Sequence, residues 1–188
     1  MTPEQFRDSP CRAVSRRSFI TTVAGALPLI AMPRVVSASV LAPRGLNFVH
    51  THTAERLQVE YFSGGRYLPD ALATVNHFLR DFRTGDIHVI EPALLDLLHQ
   101  LASTTKAARP FQVISGYRSP VTNAMLRQHS EGVASGSLHM KGQAIDIRLA
   151  DVPLASLHRA ALALRLGGVG YYPSSDFVHV DVGRVRSW

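Results

Sequence analysis

Ser137-Leu138-His139-Met140-Lys141-Gly142-Gln143-Ala144-Ile145-Asp146-Ile147-Arg148-Leu149 is a polar, glycine-containing loop that runs into a strand. From Gln143 to Leu149 the side chains alternate. Ala144, Asp146 and Arg148 fall on one face, and Ile145, Ile147 and Leu149 on the other. The isoleucine face predicts a buried side, which leaves a carboxylate on the opposite one. Near the C-terminal end, Phe177-Val178-His179-Val180-Asp181-Val182 repeats the pattern: Val178, Val180 and Val182 back onto a core, and Phe177, His179 and Asp181 share the other face. Two strands of this kind side by side would give a sheet with one apolar face and one chemically armed face.

Working outward, Leu46–His52 and Leu57–Phe62 are short β-rich runs separated by Thr53-Ala54-Glu55-Arg56, which reads as a hairpin. Asp70 is placed to cap a helix carrying Ala71, Leu72, Val75, Phe78, Leu79 and Phe82 at helical spacing, ended by Thr84-Gly85-Asp86. Leucines at 94, 95, 97, 98 and 101 predict a second helix from about Pro92 to Thr104. A strand at Phe111–Ser115, a helix from Pro120 to about Gln128, a loop over 133–142, a helix over Pro153–Leu166 and a strand at Val169–Tyr172 complete the sequence-based outline. The expected class is α+β, a small antiparallel sheet with helices packed on one side.

The chain has 188 residues and a formal charge of +6. Part of that excess lies in the first 38 residues, which read as an address. Ser15-Arg16-Arg17-Ser18-Phe19-Ile20 is a twin-arginine pattern, an apolar run of about a dozen residues follows, and Val36-Ser37-Ala38 supplies small residues for a peptidase. The run is short of the ~20 residues that span a bilayer. Without 1–38 there remain 15 basic and 12 acidic side chains, the basic ones spread singly between Arg44 and Arg186. That removes the electrostatic footprint of a nucleic-acid binder. The expectation is a twin-arginine signal peptide at 1–38 and one domain at 39–188, without a membrane span, in the periplasm or cell envelope. The single cysteine, Cys11, lies in the leader, so neither a disulfide framework nor a thiolate metal site is available to the domain.

Polar clusters on otherwise apolar strands are costly to bury unpaired. Convergence on a metal ion removes that cost. Gly142 lets the chain fold back so that His139 and Asp146 approach one point, and His179 supplies a third donor if its strand lies alongside. Two imidazoles and a carboxylate leave a fourth tetrahedral position for water, the pattern of a catalytic zinc site.

Ser-x-His-x-x-Gly-x-Ala-x-Asp over residues 137–146, followed by an acid three residues before His179, resembles the LAS zinc peptidases, the group of D-Ala-D-Ala carboxypeptidases and VanX-type dipeptidases. A wider likeness covers Thr51–Thr53, Arg80–Gly85, Ile114–Asn123, Gly132–Arg148 and Gly167–Trp188, and is nearest to murein endopeptidases of the YcbK (MepK) type. The resemblance implies a Hedgehog/D-Ala-D-Ala peptidase-like fold and a zinc-dependent peptidase acting on the peptide stems of peptidoglycan. It implies Zn²⁺ on His139, Asp146 and His179, a general base at Asp176 and an active-site arginine at Arg118. A D,D- or L,D-carboxypeptidase and a non-catalytic, zinc-stabilised peptidoglycan-binding module are the rival readings.

Strand parity is uneasy with Asp176. A residue three before His179 faces the other side of an ideal strand and starts ~10 Å away. It serves only if Ser174–Asp176 turns. Asp181 is the parity-compatible alternative, with an equally natural role in holding an imidazole. Ser137 either meets substrate or caps its turn, and Tyr117, Tyr171 and Tyr172 either line a groove or pack. His50 and His52 lie two apart on a strand and could chelate metal, but no third ligand is suggested nearby. For His52 the alternatives are a solvated hairpin face and one edge of the binding groove, and His77, His99 and His158 are expected to face solvent or pack at helix edges.

Overall fold

A computed structural model describes residues 42–129 and 134–188; the expected leader lies outside them. Among the described residues are eight strands: β1 (Arg44–His50), β2 (Arg56–Ser63), β3 (Arg66–Tyr67), β4 (Phe111–Ser115), β5 (Ala144–Leu149), β6 (Gly168–Tyr172), β7 (Phe177–Asp181) and β8 (Arg186–Ser187). The four α-helices are α1 (Pro69–Phe78), α2 (Pro92–Thr105), α3 (Pro120–His129) and α4 (Leu154–Leu164), and short 3₁₀ turns cover Leu138–Lys141 and Pro173–Ser175. No helix among the described residues is long and apolar enough to cross a membrane.

The strands form one sheet in the order β3-β2-β1-β4-β5-β7-β6-β8. The α+β class is as expected, but the sheet is larger and mixed: β1 runs parallel to β4, and β6 parallel to β8. Both parallel neighbours are joined by segments long enough to cross over, α1 and α2 in the first case and the β7 strand in the second.

Register sorts the two faces. Phe48 pairs with Phe111, which pairs with Leu149; Val113 pairs with Ile147, which pairs with Val178; Ile145 pairs with Val180, which pairs with Val169. These rows are buried with Val75 and Phe78 of α1, the leucine stripe of α2 and Leu157 and Ala161 of α4. The apolar core therefore lies on one side of the sheet. On the other side Asp146 pairs with His179 and Ala144 with Asp181.

The helix predicted to reach Phe82 stops at Phe78. The Leu79 carbonyl accepts the Tyr117 N–H (2.8 Å) instead of continuing the helical ladder. The carboxylate of Asp81 then gathers the backbone N–H groups of Arg83 (3.0 Å) and Ser119 (2.8 Å), fixing the turn that follows β4. His50 belongs to no group among the described residues that could hold a metal ion. It is buried on the core face, its ring edge-on to Phe78 and Phe82, because it continues the row of Leu46 and Phe48. His52 is exposed and stacks on Phe82, with centroids 4.2 Å apart. His77 is exposed, and the half-buried His158 stacks on Tyr171.

Candidate metal centre

Three segments deliver the polar cluster. Ser137 caps the 3₁₀ turn by accepting the His139 N–H on its hydroxyl (3.4 Å). Gly142 ends the turn with φ +65°, where a Cβ would collide with the Val89 carbonyl, so the bend needs glycine. The Arg118 N–H donates to the His139 carbonyl (3.2 Å), tying the turn to the loop after β4. Asp146 and His179 are cross-strand partners on β5 and β7, the side-by-side arrangement on which the third donor depends.

The imidazoles and the carboxylate meet. His139 Nε2 lies 3.1 Å from His179 Nδ1 and 3.3 Å from Asp146 Oδ1, and His179 Nδ1 lies 2.9 Å from the same oxygen. Bonds of ~2.1 Å to a tetrahedral ion would set such donors ~3.4 Å apart. The triangle is that of a site a few tenths of an ångström tighter than the loaded one. His139, Asp146 and His179 are the group among the described residues that could hold a metal ion.

The outer nitrogens explain why the inner ones are free to bind. His139 Nδ1 is 2.8 Å from the Gly116 carbonyl, which only accepts, so Nδ1 carries the proton and Nε2 presents a lone pair. His179 Nε2 faces the Asp181 carboxylate at 3.1 Å, so it donates there and Nδ1 presents the other lone pair. Two lone pairs and an anion facing one another within 3.3 Å require a cation or a shared proton between them. The donor set of two nitrogens and an oxygen suits zinc.

The electrostatics follow. Burial works against charge on Asp146, but the two histidines hold its carboxyl well below the usual range. Burial pushes the His139 pKa down. At His179 burial also opposes charge, but hydrogen bonds to Asp146 and Asp181 outweigh it and raise the pKa to about 8. In the absence of an ion the shared proton thus belongs to His179, which faces two carboxylates, rather than to His139.

These groups line a cavity of about 530 Å³, whose walls include Arg118, Ser137, Tyr172, Phe177, Arg186 and Trp188. The Arg118 guanidinium approaches Asp146 Oδ2 (3.3 Å) and the Ser115 hydroxyl (3.4 Å). Asp176 sits in the turn that parity required, with φ +54°, but its carboxylate is 62% exposed, pairs with Arg148 at 2.7 Å and does not line the cavity, although Ser175 and Phe177 do. Asp181 is fully buried and takes N–H donors from Gly168 (3.0 Å), Gly183 (2.8 Å) and Arg186 as well as from His179. Tyr117 is not among the residues that line the cavity and instead stacks on His88, with ring centroids 4.8 Å apart. Arg186 and Trp188 went unread in the sequence, since after Gly183 no alternation marks which side chains point inward.

Residues 38–188 match the M15 peptidase family described as peptidoglycan L,D-endopeptidase MepK. The peptidoglycan L,D-endopeptidase MepK of Escherichia coli K12 is 44% identical over 160 residues, covering 85% of this chain and 88% of the relative. A probable peptidoglycan L,D-endopeptidase MepK of Haemophilus influenzae is 40% identical over 177 residues, covering 93% and 95%. With the cluster of His139, Asp146 and His179 at its sheet face and this likeness along nearly the whole domain, the chain belongs to the MepK family of M15 peptidases.

Proposed function

We propose that this chain is a zinc-dependent murein endopeptidase that hydrolyses L,D cross-links between peptidoglycan stems, reaching the periplasm by the twin-arginine route. The observation that carries the reading is the convergence of three buried donor atoms, 2.9–3.3 Å apart, on the floor of a cavity that also holds a guanidinium. Zinc, when bound, supplies Lewis acidity and brings the ionisation of water within reach of neutral pH. The relatives' names supply the L,D linkage.

The protein's own part is positioning and proton handling. Arg118 presents N–H donors beside Asp146, where they offset charge on the tetrahedral intermediate or hold a substrate carboxylate. Asp176 takes a proton from the attacking water and returns it to the leaving amine. To do so it must exchange Arg148 for the cavity, and an exposed ion pair of this kind is worth only ~0–1 kcal/mol. Asp181 is unsuited to that task, since both of its oxygens are already occupied. Three protein donors, rather than the four of a closed structural site, favour catalysis over a purely structural ion.

The test is mass spectrometry of defined muropeptide dimers digested by the zinc-loaded protein, with a chelator-treated control. L,D-linked dimers should become monomers only when metal is present. Release of a single terminal alanine would instead assign a carboxypeptidase, and intact dimers under all conditions would remove the enzymatic reading.

A further inference from the structure

We propose that Arg186 is a positioning residue of the metal centre, acting through Asp181 on His179; this rests on His179 being a ligand. The Asp181 carboxylate has two differently used oxygens. Oδ1 accepts the backbone N–H groups of Gly168 (3.0 Å) and Gly183 (2.8 Å) and Arg186 Nη1 (3.1 Å). Oδ2, the oxygen that receives the His179 Nε2 proton (3.1 Å), has one other partner, Arg186 Nη2 at 2.7 Å. The guanidinium therefore grips both oxygens as a fork and fixes the plane of the carboxylate. That plane sets the direction of the His179 ring, and so the aim of Nδ1 at Asp146 and His139.

The surroundings are shaped to hold this fork. Gly168 and Gly183 line it, and a Cβ on Gly168 would collide with the guanidinium and stand 2.5 Å from Asp181 Oδ2. Arg186 is held in turn by the pairing of β8 with β6, by the Arg184 carbonyl (3.1 Å) and by the Trp188 ring, 4.8 Å from its central carbon. Without Arg186 the charge of a fully buried Asp181 would be met on Oδ2 by His179 alone, and the carboxylate would be free to rotate about its remaining contacts. The last strand is thus joined to the chemistry through two side chains.

The experiment compares wild-type protein with Arg186→Gln and Arg186→Lys by three readouts: zinc affinity by chelator competition, the visible spectrum of the cobalt(II)-substituted protein, and the imidazole ¹⁵N–¹H correlations of the metal-free protein. Circular dichroism checks the fold. Partners that orient a ligating histidine typically contribute 10–100-fold to metal affinity, so Arg186→Gln should lose about tenfold. Its cobalt spectrum should change, and the His179 Nε2–H correlation, held on one fixed acceptor in the wild type, should shift and broaden. Arg186→Lys, which supplies a charge but no fork, should fall between the two. Wild-type values in Arg186→Gln for all three readouts would overturn the proposal. Should that variant fail to fold, wild-type values in Arg186→Lys would do the same. A wild-type protein that binds no zinc would instead sink the metal reading, and the imidazole spectra of the metal-free proteins would still decide whether Arg186 orients His179.

Discussion

Gly116 lies where the fold and the site press on one another, and replacing it with alanine tests the link. A Cβ there would stand 2.6 Å from the Leu79 carbonyl oxygen and 2.9 Å from Leu79 Cβ. The backbone of Gly116 is outside the left-handed region, so the penalty is steric and not conformational. Reaching even a tight 3.0 Å contact requires the two segments to part by at least 0.4 Å. Two hydrogen bonds stretch with that movement: the Tyr117 N–H to Leu79 (2.8 Å) and the Gly116 carbonyl to His139 Nδ1 (2.8 Å). Overpacking of this size costs about 1–3 kcal/mol. At ~2–4 °C per kcal/mol for a domain of this length, Tm should fall by roughly 2–12 °C. Loss of the carbonyl that orients His139 should also weaken zinc binding about tenfold. Differential scanning fluorimetry and chelator competition measure the two effects. Gly136 is the control: it also borders the cavity, but among the described residues a methyl group there would meet no atom within 4 Å, so Gly136→Ala should change neither. Unchanged Tm and unchanged zinc affinity in Gly116→Ala would refute the reasoning.

Asp146→Asn should lose metal and turnover together, and retention of both would end the ligand assignment. Asp176→Ala should keep zinc, measured by metal analysis, and lose roughly 10²-fold or more in turnover; unchanged turnover would transfer the base role elsewhere. Arg118→Lys should lower turnover on cross-linked dimers, because a point charge cannot reproduce a planar fork, whereas unchanged kinetics would reduce Arg118 to a structural ion pair. The pH dependence has opposite signs with and without metal. His179 has its pKa raised to about 8, so in metal-free protein its contribution to stability is complete below ~6.5 and is lost as pH rises through 8. Metal uptake must displace that proton, so zinc affinity should rise by about tenfold per pH unit over the same window. Thermal melts of chelated and zinc-loaded protein from pH 6 to 9 would show the two trends diverging; parallel trends would contradict the assignment of the proton to His179.

The heart of the site was legible because strand periodicity of two is local information. Ala144, Asp146 and Arg148 had to share a face, as did Phe177, His179 and Asp181, and the pairing of Asp146 with His179 then brought the donors together. Non-local features were harder. Burial of His50 depends on Phe78 and Phe82 arriving from another element, which its own neighbours, Thr51-His52-Thr53, do not reveal. The early end of α1 depends on Asp81 and Leu79 meeting the loop of Ser119 and Tyr117 about forty residues later. The parallel pairing of β1 with β4 leaves no mark on either strand, since both alternate in the same way whichever direction a neighbour runs. Arg186 could have been suspected only from its chemistry, as a cation with a buried acid five residues before it.

The sheet separates upkeep from chemistry by its own thickness. Ile145, Ile147, Val178 and Val180 look toward the helices, while Asp146 and His179 between them look the other way. Two of the three donors are consequently held by the backbone ladder before any ion arrives, and only His139 hangs from a separate turn. The frame that carries those two donors is built from strand pairing and apolar packing that involve no ion, unlike small domains that collapse around one. Tyr172, Phe177 and Trp188 around the opening stand outside the hydrophobic interior, so a change of shape at the mouth leaves the packing behind it untouched.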